Sequence, residues 1–281
     1  MKKPTIRLYT WAVTAAMVLC TAPAYAQYTP RPLSDPATGE KFHIEGAADF
    51  WLPSTDINIS SEALGIAGST IDLKRDLGAT DQRFRALQLT LRPARAHKFR
   101  FQYIPIKYTA SSSLARDVIF NGIRYRANLP VNTDFDWKAY RFGYEFDFLT
   151  RDRWFAGFLL EAKYTDVKVQ LDNPIESQFA HARGPIPAIG GIGRYYVVPN
   201  ISITGELTAA NIPDAVSKQY DAHYVDLDIY GTVNFTNNVG VMGGYRTFNL
   251  GYNIRDDDKI TSTDEGSFVL KGLYFGVVAR F

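Results

Sequence analysis

The sequence predicts an all-β chain closed into an antiparallel transmembrane β-barrel of about ten strands, with eight as the alternative. Three observations predict it. The chain opens on an export-type leader, contains no later apolar run long enough to cross a bilayer as a helix, and then repeats period-two segments joined alternately by short and long links. Backbone groups inside lipid have to pair with one another, so a spanning chain without such helices must close its strands into a barrel.

Residues 1–26 have the pattern of a secretory signal peptide. Lys2, Lys3 and Arg7 are the positive start, Leu8 to Thr21 is the apolar middle, and Ala24-Tyr25-Ala26 is a small-x-small cleavage site. Residues 27–40, with Pro30, Pro32 and Pro36, are expected to be a flexible periplasmic lead-in, and residues 41–281 a single barrel domain. The only cysteine, Cys20, lies in the leader, so the mature chain is expected to lack disulfides, thiolate nucleophiles and cysteine metal sites. Leu19 occupies the position before Cys20 where a lipoprotein needs a small residue. Three of the 31 basic residues leave with the leader, which puts the 29 acidic ones ahead by one. That balance gives no support to nucleic-acid binding.

The strands follow in order, each with an apolar and a polar face. Phe42, Ile44, Ala48 and Phe50 oppose His43, Glu45 and Asp49. Leu87, Leu89 and Leu91 oppose Gln88, Thr90 and Arg92, and Phe99, Phe101 and Tyr103 oppose Arg100 and Gln102. Tyr140, Phe142, Tyr144, Phe146 and Phe148 oppose Arg141, Gly143, Glu145 and Asp147. Trp154, Phe158, Leu160 and Tyr164 oppose Glu161, Lys163 and Thr165. The segment from Ile189 to Val198 sets Arg194 against Tyr195 and Val197, and Ile201, Ile203 and Leu207 oppose Ser202, Thr204 and Glu206. Val225, Leu227, Ile229, Val233 and Phe235 oppose Asp226, Asp228, Thr232 and Asn234. Val239, Val241 and Tyr245 oppose Met242 and Arg246, and Leu273, Phe275, Val277, Ala279 and Phe281 oppose Gly272, Gly276 and Arg280.

Short links are expected at Pro93–Lys98, Thr150–Arg153, Pro199–Asn200 and Thr236–Asn238. Long ones are expected at Ser54–Asp81, Ser111–Asn132, Asp172–Gly184, Ala210–Lys218 and Arg255–Gly266. The two classes alternate, as tight periplasmic turns and longer external loops do.

With this pattern the chain resembles a small bacterial outer-membrane β-barrel protein of the OmpA-like and OmpW-like class. Within it, Tyr274-x-Gly276-x-x-Ala279-x-Phe281 resembles the C-terminal signal read by the barrel assembly machinery. The resemblance implies an integral outer-membrane location, with outer-membrane lipid and lipopolysaccharide as surroundings.

The expected inward faces collect charges of both signs: His43, Glu45, Asp49, Arg92, Arg100, Arg141, Glu145, Asp147, Glu161, Lys163, Arg194, Glu206, Asp226, Asp228, Arg246 and Arg280. In so narrow a barrel these side chains either fill and pair across the lumen or line a thin water path, and the filled interior is favoured. Trp51, Tyr103, Trp137, Tyr140, Trp154, Tyr195 and Tyr245 are expected to form interfacial girdles. Lys74, Arg75, Arg116, Arg124 and Arg126 fall in or beside the two longest loops, where guanidinium groups suit lipopolysaccharide phosphates.

Asp134-Phe135-Asp136-Trp137 and Asp221-Ala222-His223-Tyr224 resemble the aspartate pair and Asp–His pair of omptin proteases. That resemblance implies a water activated between Asp134, Asp136, Asp221 and His223. Parity opposes it, because all four share a face with residues assigned outward. No metal-ligand spacing, cofactor motif or nucleophile–histidine arrangement is recognisable. The expected role is therefore structural or surface-interacting and not enzymatic. A narrow small-solute pore and an omptin-like protease are the alternatives.

Overall fold

The computed structural model describes residues 37–62, 66–173, 177–212, 220–256 and 262–281. The signal peptide and residues 27–36 of the lead-in lie outside the described residues. In chain order the strands are β1 (Ile44–Ser61), β2 (Ile71–Asp72), β3 (Phe84–Ala94), β4 (His97–Ser113), β5 (Val118–Phe120), β6 (Ile123–Tyr125) and β7 (Pro130–Thr150). They continue with β8 (Trp154–Asp172), β9 (Ser177–Val198), β10 (Ile201–Ile212), β11 (Tyr220–Asn234), β12 (Val239–Asp256) and β13 (Ser262–Arg280).

Among the described residues, β1, β3, β4 and β7 to β13 pair in sequence order as ten antiparallel strands. β13 returns to β1 in unbroken register, from Glu45↔Arg280 to Ser61↔Asp264. The ring is closed and leaves no edge. Close approach of neighbouring backbones leaves room only for hydrogen at some wall positions: a Cβ at Gly190 would lie 2.1 Å from the Leu207 carbonyl oxygen. Both ends of the domain lie on the short-turn side, where the Ile44 amide donates to the Phe281 carbonyl at 2.9 Å.

On the longer strands the described side chains keep one face outward throughout, but the hydrophobic set changes face partway up. On β7 the even-numbered residues point out. Phe142, Phe146 and Phe148 do so in the lower half, and Asn132, Asp134 and Lys138 in the upper half. The odd-numbered inward residues change the opposite way, from Arg141, Glu145 and Asp147 to Val131, Phe135 and Trp137. The physical cause is the medium outside the wall. Below the switch it is lipid, so Phe158, Leu160, Ile189, Phe275 and Val277 stay exposed. Above it is water, and the wall encloses an apolar core as a soluble barrel does.

Tyr103, Tyr140 and Tyr164 stand in one outward row at the switch, with ring centroids 4.9 and 6.3 Å apart. Such amphipathic rings favour the headgroup zone. Ten residues of β7, Pro130 to Ala139, lie above that row. At about 3.3 Å per residue and a tilt of about 40°, the wall rises roughly 25 Å beyond the girdle.

This extension corrects the expected loops. β9 begins at Ser177, so most of Asp172–Gly184 is strand, and His181 sits on the wall 2.6 Å from Asp166. β1 runs to Ser61, β12 to Asp256, and β13 starts at Ser262. The polar outer face of the upper wall resembles loop in sequence because it meets water. Trp51 and Trp137 are corrected for the same reason: they are 3 % and 1 % exposed inside the barrel and not in a girdle. Trp154, Tyr195 and Tyr245 do face outward.

Candidate functional site

The lumen is occupied by three stacked layers. At the periplasmic mouth the chain ahead of β1 folds back under the barrel. The Thr38 amide donates to the Pro199 carbonyl at 2.7 Å, and Asn234 donates to the Thr38 carbonyl at 2.8 Å. Glu40 then reaches inside. Its carboxylate meets Arg194 at 3.0 Å and Arg92 at 3.5 Å, and accepts from the Tyr196 hydroxyl at 2.6 Å. Phe42 is buried with the Arg92 and Arg280 guanidinium carbons 5.3 and 5.9 Å from its ring centroid. Residues 37–40 are therefore a tethered plug, where a flexible lead-in was expected. Phe42 and His43 also exchange their expected places, with Phe42 turned in and His43 exposed.

The middle layer is the charge network, and it crosses the lumen. Arg100 on β4 meets Glu206 on β10 at 2.6 Å and Glu145 on β7 at 3.2 Å. Arg141 joins Glu161 to Glu206, and Lys163 lies 3.1 Å from both Glu161 and Asp226. Arg246 grips Asp226 at 2.8 Å and donates to Gln102, across the barrel, at 3.0 Å. Asp228 accepts from the Tyr274 hydroxyl at 2.9 Å, Asp49 from Gln88 at 3.1 Å, and Glu45 pairs with Arg280. Arg194 closes the layer below, and Asp147 joins through Lys98 at 2.9 Å. Of the side chains expected to face inward, Arg92, Arg100, Arg141, Glu145, Asp147, Glu161, Lys163, Arg194, Glu206, Asp226 and Arg246 are thus linked in one network, with the Asp49–Gln88, Asp228–Tyr274 and Glu45–Arg280 pairs beside it, while His43 stays outside the lumen. Lys98 was missed because its neighbours Arg95 and His97 make the stretch look like a polar turn. It shares the parity of Arg100, which was the available signal.

The top layer is apolar. Trp137 packs on Phe248 and Phe268, each 5.1 Å between centroids, and Phe84, Tyr108 and Phe135 continue the cluster. The two longest loops complete it as a cap. Ile71, Leu73 and Leu77 descend from the first, and Val118, Phe120 and Tyr125 from the β5–β6 hairpin of the second. Polar ties hold the cap shut. Asp76 receives Arg116 at 2.8 Å, and Asp81 receives Lys74 at 2.6 Å and the Thr55 amide at 3.0 Å. Burial pushes the Asp76 carboxyl up, but Arg116, the Asp72 amide and Arg75 together bring it down to about 2. Lys74, Arg75 and Arg116 are therefore engaged by carboxylates of the cap, Arg75 and Arg116 from exposed positions, whereas Arg124 and Arg126 are exposed.

The omptin-like residues do not meet. Asp134 and Asp136 are outward on β7, and Asp221 and His223 are outward on β11, four strands further round the ring. Among the described residues no group of three His, Asp or Glu side chains is disposed to hold a metal. In the C-terminal pattern, Phe281 is 76 % exposed and Ala279 faces outward, while Tyr274 is buried against Asp228. A Cβ at Gly276 would lie 2.6 Å from the Ala48 carbonyl oxygen.

No family model and no curated protein matches the chain. Among solved structures it is similar to the outer membrane protease OmpT from Escherichia coli, with a TM-score of 0.54 and 11 % identity over 84 % of this chain and 97 % of that one. It also aligns with the toluene transporter TodX of Pseudomonas putida, at a TM-score of 0.35 and 9 % identity over 92 % and 95 % of the two chains. For Ail of Yersinia pestis the values are 0.32 and 10 %, over 83 % and 99 %. At these identities the OmpT likeness speaks for the fold alone. The closed ring, the lipid-facing band and that likeness agree: the protein is a ten-stranded antiparallel β-barrel of the outer-membrane type.

Proposed function

We propose that this barrel is a non-conducting outer-membrane anchor that holds a rigid, capped projection above the lipid for structural and surface contacts. One observation carries the reading: the lumen is filled along its length by plug, charge network and apolar core. A water path needs a continuous polar channel, and the apolar layer interrupts one. Purified protein reconstituted in planar bilayers is expected to give no current steps. Reproducible steps of uniform size would overturn the reading.

The partners follow from the wall. Lys138 and Lys271 stand one outward row above Tyr140 and Leu273, at headgroup height, which favours contact with lipopolysaccharide phosphates there. Arg75, Arg124 and Arg126 sit on the cap, further from the bilayer, and suit an approaching anionic surface better. The free aromatic at Phe281 supports recognition by the barrel assembly machinery during insertion.

A further inference from the structure

The outside of a closed barrel is convex, so a concavity on it calls for a cause. A groove of ≈ 320 Å³ lies on the upper outer wall across β11, β12, β13 and β1. Two outward rows build it. His223, Gly251 and Ser267 are adjacent across β11, β12 and β13, and Asp221, Asn253 and Glu265 form the next row up. Gly251 supplies the depression, and the His223 ring lies over it: a Cβ at Gly251 would meet Cε1, Nε2 and Nδ1 of that ring at 2.1, 2.6 and 2.8 Å. The floor is thus an exposed flat ring on bare backbone, and the rim carries two carboxylates, an amide and a hydroxyl.

Asn253 donates from Nδ2 to Glu265 at 2.9 Å and holds that carboxylate on the rim, while its own Oδ1 is shielded from solvent and out of reach from the groove.

We propose that this groove binds a saccharide, one or two rings long. A sugar ring offers an apolar C–H face to the imidazole platform and vicinal hydroxyls to Asp221 and Glu265. The groove has the size and the mixture of apolar floor and few convergent polar groups expected of small-ligand sites. Height agrees with this chemistry. The His223 row lies three outward rows above Ile229, which still faces lipid, so the groove opens where carbohydrate surrounds the outer leaflet. The saccharide comes either from the glycolipid of the same leaflet or from a foreign glycan. The site lies on the outer wall and stands whether or not the lumen conducts.

Saturation-transfer NMR on the full folded chain, in a detergent without a sugar head, tests this. The probes are maltose and chitobiose in one arm and delipidated core oligosaccharide of the outer-leaflet glycolipid in the other. Transfer to a probe in either arm is expected, and the responding arm identifies the source. Ser267→Tyr, which fills the groove from an exposed position, and Asp221→Ala are each expected to weaken that binding at least about tenfold. Lys107→Ala, outward on β4, is expected to leave it unchanged. Retained heat-modifiable migration establishes that each variant is folded. No transfer in either arm, or equal transfer to folded Ser267→Tyr and to the parent, would overturn the proposal.

Discussion

At the residue scale, Glu206 is the node of the lumen. It accepts from Arg100 at 2.6 Å, Arg141 at 3.1 Å and the Tyr230 hydroxyl at 3.2 Å, in a site closed to water. Removing one partner of a buried pair leaves the other charge uncompensated. Glu206→Ala is therefore expected to cost about 3–5 kcal/mol, measured from denaturant unfolding in vesicles, whereas replacing an outward neighbour such as Leu207 with Val should change little. An unshifted midpoint for Glu206→Ala would contradict the network. Asp76 gives a pH test. Its carboxyl titrates at about 2 when folded against an ordinary 3.8, so its contribution is complete above 3.8 and fades as pH falls through about 2. Pepsin should spare the first external loop at pH 4 and cut it near pH 2, and Asp76→Asn should already be cut at pH 4. Equal resistance of the two proteins at pH 4 would remove Asp76 from the cap's fastening. Individual inward charges were legible from parity alone. Their partners were not, because Arg100 and Glu206 are far apart in sequence and meet only when the ring closes.

At the element scale, the β5–β6 hairpin shows what a local signal offers and where it stops. Phe120-Asn121-Gly122-Ile123 turns on two central residues with φ of 49° and 77°, the geometry that Asn-Gly favours in two-residue hairpins. The dipeptide was present in the sequence, within a stretch expected to be one long loop. Its short strands carry no sign that they dip into a barrel; Phe120, 1 % exposed, acquires its burial from the surrounding wall. Phe120→Ala is expected to cost the cap about 3–5 kcal/mol. Hydrogen exchange should quicken in residues 114–129 while β7 to β13 stay protected. Unaltered exchange there would mean the hairpin is not seated as described. The start of β9 and the end of β1 were misjudged for a related reason. Above the girdle their outward residues are polar, and a polar stretch beside an expected lipid band has the composition of loop.

At the scale of the whole molecule, the change of face at the tyrosine row divides one continuous wall into two folding problems. Below it, lipid outside forces the polar residues inward, and they must pair. Above it, water outside lets the apolar residues take the interior. The seals are consequently independent. Deleting the plug through Phe42 is expected to leave the protein silent in planar bilayers, because the Trp137–Phe248–Phe268 layer remains in place. Current steps in that deletion variant would show that the plug alone closes the lumen.

The sequence alone determined that this chain is a membrane-crossing barrel of about ten strands and, on the lipid-facing half of those strands, which residues face in and which out. Period two and the need to pair every backbone group in lipid act locally or everywhere, so they leave their mark on each segment. The tertiary structure decided what fills the middle: the return of Glu40 to Arg194, the ties across the lumen, the apolar core above the girdle and the loops folded over it. These depend on residues brought together from distant strands and on the medium outside the wall at each height, and no single segment of the chain records either.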